Sequence, residues 1–140
     1  MQQLVVFSLG SEEYGLPITQ VQEIIRYTEP RAVASDDPSI RGVISLRGKI
    51  VPVCDLAARL RLTGERGQDA KIVILETPTG TAGVIVDDVE EVLTVTASQL
   101  DAIPTSGAGF VEAIAKIDDR LVVLLNSDGI FAGFELDRAA

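Results

Sequence analysis

The sequence predicts an all-β chain built from two small closed barrels of about five strands each, packed together and carrying short helical turns. Two observations carry that reading. Leu4-Val-Val-Phe-Ser-Leu9 aligns with Ile72-Val-Ile-Leu-Glu-Thr77 at an offset of 68 (72 − 4), and Gly15-Leu-Pro-Ile-Thr-Gln-Val-Gln-Glu-Ile-Ile25 aligns with Gly83-Val-Ile-Val-Asp-Asp-Val-Glu-Glu-Val-Leu93 at the same offset (83 − 15), so one fold unit occurs twice. Within each unit, β-branched and apolar runs of strand length alternate with turn residues. Closing such strands into barrels removes the unpaired edges that make open sheets associate.

The elements follow in chain order. Each copy opens with a β-branched run, a turn rich in Gly, Ser, Thr or Glu, and a second short strand, which is the hairpin pattern. Thr19 with Gln22, and Asp87 with Glu90, have capping-box spacing and predict one helical turn in each copy. Ile24-Ile-Arg-Tyr-Thr28 and Val92-Leu-Thr-Val-Thr96 then favour strand, with a short amphipathic helix as the alternative. Loops around Pro30 and Pro38, and around Pro104, Gly107 and Gly109, lead to closing hairpins at Gly42–Val53 and Phe110–Leu125, the second with a longer turn. Asp55 and Asn126 are expected to cap short terminal helices. Thr63–Ala70 is polar and glycine-bearing and reads as the connection between copies.

At 140 residues and 46% hydrophobic content the chain forms a single domain, residues 1–140, with internal halves 1–66 and 67–140 as the two barrels; exchange of strands between the halves stays open. No apolar run approaches the roughly 20 residues of a membrane span and no secretory signal opens the chain, which points to the cytoplasm. The net charge of −9 and few aromatics disfavour nucleic acid and anionic membranes as partners. Histidine is absent and Cys54 stands alone among apolar neighbours, so it reads as core. Without histidine the chain builds no Ser-His-Asp or Cys-His nucleophile and no His-bearing metal site.

Other motifs yield no chemistry. The acidic doublets Glu12-Glu13, Asp36-Asp37, Asp87-Asp88, Glu90-Glu91 and Asp118-Asp119 lie mostly at turns and strand starts, and neighbours on a strand point to opposite faces, so solvated charge is the expected role. Asp87-Asp-Val-Glu-Glu91 lacks the ligand spacing of a calcium loop. Thr105-Ser-Gly-Ala-Gly109 lacks the Lys-Ser/Thr that completes a phosphate loop. No catalytic residue, metal ligand or cofactor is assigned. Arg47-Gly48 is different: glycine suits the reversal of a hairpin, but nothing in turn chemistry asks for arginine.

Gly42-Val-Ile-Ser-Leu-Arg-Gly-Lys-Ile-Val-Pro-Val-Cys-Asp-Leu56 resembles the signature hairpin of the CheW family, usually Gly-Val-Ile-Asn-Leu-Arg-Gly followed by Val-Pro-Val-x-Asp-Leu. Glu13-Tyr-Gly15, Val21-Gln-Glu-Ile24, Gly83–Asp87 and Val89–Leu93 resemble family positions in the same order, so the likeness spans essentially the whole chain. The motif residues are Leu46, Arg47, Gly48, Val51, Pro52 and Asp55. The resemblance implies two SH3-like five-stranded barrels and a non-catalytic scaffold that joins chemoreceptor cytoplasmic tips to the regulatory domain of a CheA-type histidine kinase in bacterial chemotaxis. It implies a receptor-binding groove at Val21, Glu23, Ile24, Gly42, Arg47, Val86 and Val89. Ser45 departs from the family asparagine. The chain starts at its first strand and ends soon after Phe134, which suits either a minimal adaptor or a domain of a longer protein. An adaptor for a related kinase pathway, in surface motility or development, is the alternative, and a carboxylate or metal enzyme is a distant one.

Overall fold

A computed structural model describes residues 1–33, 39–60, 62, 69–77, 80–102 and 111–130. The loop positions Pro38 and Asp36-Asp37, the connection at 63–68, the segment with Pro104, Thr105–Gly109 and Phe110, and Phe134 lie outside the described residues. Among the described residues eleven strands run in order: β1 (Gln2–Leu9), β2 (Glu12–Pro17), β3 (Val21–Arg26), β4 (Ile40–Leu46), β5 (Lys49–Asp55), β6 (Lys71–Thr77), β7 (Gly80–Val86), β8 (Asp88–Val95), β9 (Leu100–Ala102), β10 (Val111–Ile117) and β11 (Arg120–Leu125). Two four-residue helices, α1 (Leu56–Arg59) and α2 (Ser127–Ile130), follow β5 and β11. Asp55 caps α1 by accepting from Ala57 N–H at 3.1 Å, and the Asn126 carbonyl accepts from Ile130 N–H at 3.1 Å in α2.

Each sheet takes strands from both copies. The six-stranded sheet has the order β8-β1-β2-β11-β10-β9 and the five-stranded sheet the order β3-β6-β7-β5-β4. Two parallel pairings, β2 with β11 and β5 with β7, complete the exchange. The 3-10 turn Ile18–Gln20 carries the chain from the first sheet to the second, and Asp87 alone carries it back. In each sheet the chain links the two end strands. In the larger one, β8 and β9 stand at opposite ends of the strand order but are joined by the three-residue turn Ala97–Gln99. In the smaller one, the chain leaving β3 returns to β4 through a bridge between Arg31 and Val43.

Three apolar clusters result. Leu4, Val6, Val95, Ala113, Ala115, Val122 and Leu124 fill one barrel, while Ile44, Val51, Val53, Ile72, Ile74 and Ile85 fill the other. A central cluster between them joins Phe7, Leu9, Tyr14 and Leu16 to Val73, Leu75, Val84, Val86 and Leu56. Residues 4, 6, 72 and 74 thus face a barrel interior, and 7, 9, 73 and 75 the central cluster. Strands buried on both faces read as unbroken apolar runs, which is why the repeat is so plain in the sequence. Cys54 is fully buried in the central cluster.

Two local expectations need correction. The capping boxes expected at Thr19/Gln22 and Asp87/Glu90 do not form: β3 and β8 begin at Val21 and Asp88 and pair with β6 and β1 at once. Asp87 instead accepts a hydrogen bond from Gly10 N–H at 2.5 Å, pinning the β1–β2 turn. The expected helical turn of the first copy is present as the 3-10 turn Ile18–Gln20, without a side-chain cap, whereas in the second copy β8 follows β7 after Asp87 and inter-strand pairing takes its place. A capping box does form at Thr96/Gln99, with the Gln99 side chain accepting from Thr96 N–H at 2.8 Å. The second correction concerns the closing hairpins, which have equal two-residue turns, Leu46↔Lys49 around Arg47-Gly48 and Ile117↔Arg120 around Asp118-Asp119. The copies correspond there at an offset of 71 (120 − 49), so the extra residues enter between β8 and β10.

Candidate functional site

The site is built from the β4–β5 hairpin upward. Arg47 and Gly48 both have positive φ, 49° and 82°, as a type I′ reversal requires. Such a turn favours Asn, Asp or Gly in its first central position, and holding another residue there costs of order 1 kcal/mol. The other copy carries the ordinary choice, Asp118, with φ 53°. Arg47 is therefore kept against the preference of its own backbone. Its guanidinium forms an ion pair with Glu23, with Nη1 donating to Oε1 at 3.3 Å.

A β-bulge brings Glu23 to that position. In the β3–β6 ladder Val21 opposes Leu75 and Glu23 opposes Ile74, leaving Gln22 as the extra residue. Leu75 faces the central cluster and Ile74 a barrel interior, so the bulge turns Glu23 onto the barrel side and away from Val21's face. The second copy repeats the device, with Phe7 opposite Val89, Val6 opposite Glu91, and Glu90 as the extra residue.

The two acids therefore end at the mouths of the two barrels. At the larger barrel, Arg120 donates to Glu13 through Nε at 3.0 Å and Nη2 at 2.8 Å, and Nη2 lies 3.1 Å from Glu91. The Arg120 hydrogen bonds hold the Glu13 carboxyl below the usual glutamate range and outweigh its partial burial. Tyr14 nearby is pushed up, by burial and then by its hydrogen bond to Glu12 at 2.7 Å. Because the folded-state pKa of Glu13 is lowered, the stability it adds is fully present above the unfolded value near 4.3 and lost as pH falls through the lower folded one. In urea unfolding, Glu13→Gln is expected to cost about 1 kcal/mol at pH 7, the upper range for a part-exposed pair, and progressively less as the pH falls below the unfolded value near 4.3. An equal cost across that range would refute the ion-pair origin.

The expected site residues fall into two sets. Glu23 and Arg47 form the mouth pair. Val21 and Val89 pack against the central cluster, Val86 is fully buried inside it, and Ile24, 41% exposed, lies opposite Val73 on the same face. Gly42 belongs to neither set: it is buried in β4, beside the Arg31–Val43 bridge. Among the motif residues, Val51 lies in the barrel core, Leu46 packs against it, and Asp55 caps α1. Pro52 opposes Val43, whose own N–H and C=O bond to Arg31, so the ladder loses nothing to the imino acid there. The acidic doublets are less idle than expected, since Glu13, Glu91 and Asp87 all hold structural partners. The sequence reading missed Arg120 and Lys49; projecting the repeat onto the closing hairpins with equal turns would have found both.

Residues 3–135 match the CheW-like domain family. The chain belongs to that family. A chemotaxis protein CheW from Klebsiella aerogenes is 30% identical over 140 residues, covering 96% of this chain and 84% of that relative. A chemotaxis protein CheW from Bacillus subtilis is 31% identical over 134 residues, covering 92% and 86%. The crystal structure of the scaffolding protein TtCheW from Thermoanaerobacter tengcongensis superimposes with a TM-score of 0.87 at 35% identity, covering 94% of this chain and 92% of that one. The CheW-like fold of two exchanged SH3-like barrels is thus common to both. Among the described residues, no helix is long and apolar enough to cross a membrane.

Proposed function

We propose that this chain is a non-catalytic adaptor in bacterial chemotaxis, coupling the cytoplasmic tips of chemoreceptors to the regulatory domain of a CheA-type histidine kinase. It acts in the cytoplasm by holding the two partners in register, without turnover of its own. The observation that supports this most directly is Arg47, kept at positive φ on the family's signature hairpin and paired with Glu23. An arginine that costs the turn stability needs a reason outside the turn. Docking a receptor helix at the Arg47–Glu23 pair and past it toward Ile24, Val21 and Val89 on the other face of their strands supplies it.

Arg47→Asn separates this role from folding. Asn-Gly is the preferred type I′ pair, so the variant is expected to match or exceed the native stability by up to about 1 kcal/mol. Receptor-tip binding is expected to fall at least 30-fold, the loss of an interface anchor worth about 2 kcal/mol or more. Thermal unfolding and titration of a soluble receptor-tip hairpin read the two effects apart. Native affinity in the Asn variant would reject the docking role.

A further inference from the structure

The repeat makes the two barrel mouths comparable position by position, and they differ in charge. Thr81 stands where the larger barrel has Glu13, Glu23 where it has Glu91, Lys49 where it has Arg120, and Arg47 where it has Asp118. The larger mouth sets one cation, Arg120, against Glu13, Glu91 and Asp118, net −2, and its ion cluster is internally satisfied. The smaller mouth sets Arg47 and Lys49 against Glu23 and Glu76, net 0, with Glu76 standing where the larger barrel has the neutral Ser8. Arg47 occupies Glu23, and Thr81 is neutral, so Lys49 has no acidic partner among the described residues. Glu76, on the neighbouring strand, turns its carboxylate to Gln22 and Thr81. Between these groups lies a cavity of about 100 Å³ lined by Gln22, Leu46, Arg47, Lys49, Val51 and Thr81.

We infer that this notch is a subsite for one carboxylate side chain, a Glu or Asp on the receptor helix, with Lys49 its specificity determinant. The cavity is large enough for a carboxylate and its methylene, and too small for a second helix. Leu46 and Val51 give the methylene an apolar wall, while Lys49, which also lines the cavity, supplies the charged donor. In a chain of net charge −9, a neutral mouth that keeps Lys49 without an ion-pair partner among the described residues orients an acidic side chain that the larger, net −2 mouth repels. The inference rests on the receptor-docking reading and adds to it the chemistry of the contact.

The test uses the full chain and a soluble receptor-tip hairpin. Lys49→Arg is expected to bind within twofold of the native chain, Lys49→Ala about fivefold more weakly, and Lys49→Glu at least 30-fold more weakly, following the loss and then the reversal of one screened charge. Reversing one acidic residue of the hairpin to Lys is expected to restore binding to Lys49→Glu alone. Lys49 is exposed at the first position of β5, so circular dichroism should show all variants folded. If Lys49→Glu binds as the native chain does while Arg47→Asn does not, the subsite is wrong and the docking reading stands. If the native chain fails to bind the hairpin, both fall.

Discussion

Gly42→Ala is expected to destabilise the protein by about 3 kcal/mol or more, lowering the midpoint of thermal unfolding by roughly 10 °C. Gly42 has φ 146°, a backbone conformation that residues with a Cβ rarely adopt. A Cβ built there would lie 2.0 Å from the Arg31 carbonyl oxygen and 2.6 Å from its carbon. Both obstacles are backbone, so no rotamer change relieves them. The approach is close because Arg31 and Val43 exchange two hydrogen bonds, at 2.8 and 2.9 Å, directly beside Gly42. Those bonds tie the segment that follows β3 to β4. Accommodating a methyl means giving up backbone bonds worth roughly 0.5–1.5 kcal/mol each, in addition to about 1–3 kcal/mol of dihedral strain.

The resemblance places Gly42 in the receptor groove, whereas its geometry gives it a structural duty. The two readings part on one measurement. If Gly42 acts through that tie, Gly42→Ala loses receptor binding in proportion to its unfolded fraction, and the folded molecules keep native affinity. Native stability with lost binding would instead make Gly42 a direct contact.

Burial was easier to read from this sequence than neighbourhood. The runs Leu4–Phe7, Ile72–Leu75 and Gly83–Val86 announce themselves because both faces of β1, β6 and β7 are covered, and Cys54 and the Asp55 cap follow from local chemistry alone. Strand exchange has no such signature: apolar pattern states which faces are buried and is silent on which strand lies alongside, so the β2–β11 and β5–β7 pairings left no trace. The bulges at Gln22 and Glu90 were hidden for a related reason. A bulge adds one residue without changing composition, and Gln22 and Glu90 themselves imitated helix-cap spacing while they turned the acids after them toward the barrel mouths. The Arg120 cluster joins residues 107 positions apart, beyond any local rule. Family likeness supplied the Glu23–Arg47 juxtaposition, and the bulge explains it.

Phe7→Ala is expected to cost about 4 kcal/mol, within the range of roughly 3–5 kcal/mol for deleting a buried phenyl ring and a large share of the stability of a domain this size. Phe7 is fully buried in the central cluster, stacked on Tyr14 with ring centroids 6.2 Å apart and planes 19° from parallel. The site cannot collapse cheaply. Strand β1 is hydrogen-bonded on both sides, to β2 and β8, and the Tyr14 hydroxyl is held by Glu12, so neither backbone nor ring is free to move into the void. Leu4→Ala makes the proper comparison: it empties a fully buried position of similar size on the same strand, but inside the larger barrel. Both variants should unfold at lower urea. Only Phe7→Ala loosens the seat shared by the two barrels, on which Val21 and Val89 also rest, so per folded molecule it should weaken receptor-tip binding while Leu4→Ala leaves it unchanged. A cost below about 1 kcal/mol for Phe7→Ala would mean that the barrels do not share this core. Equal binding losses in the two variants would mean that the docking face is set by overall stability and not by how one barrel sits against the other.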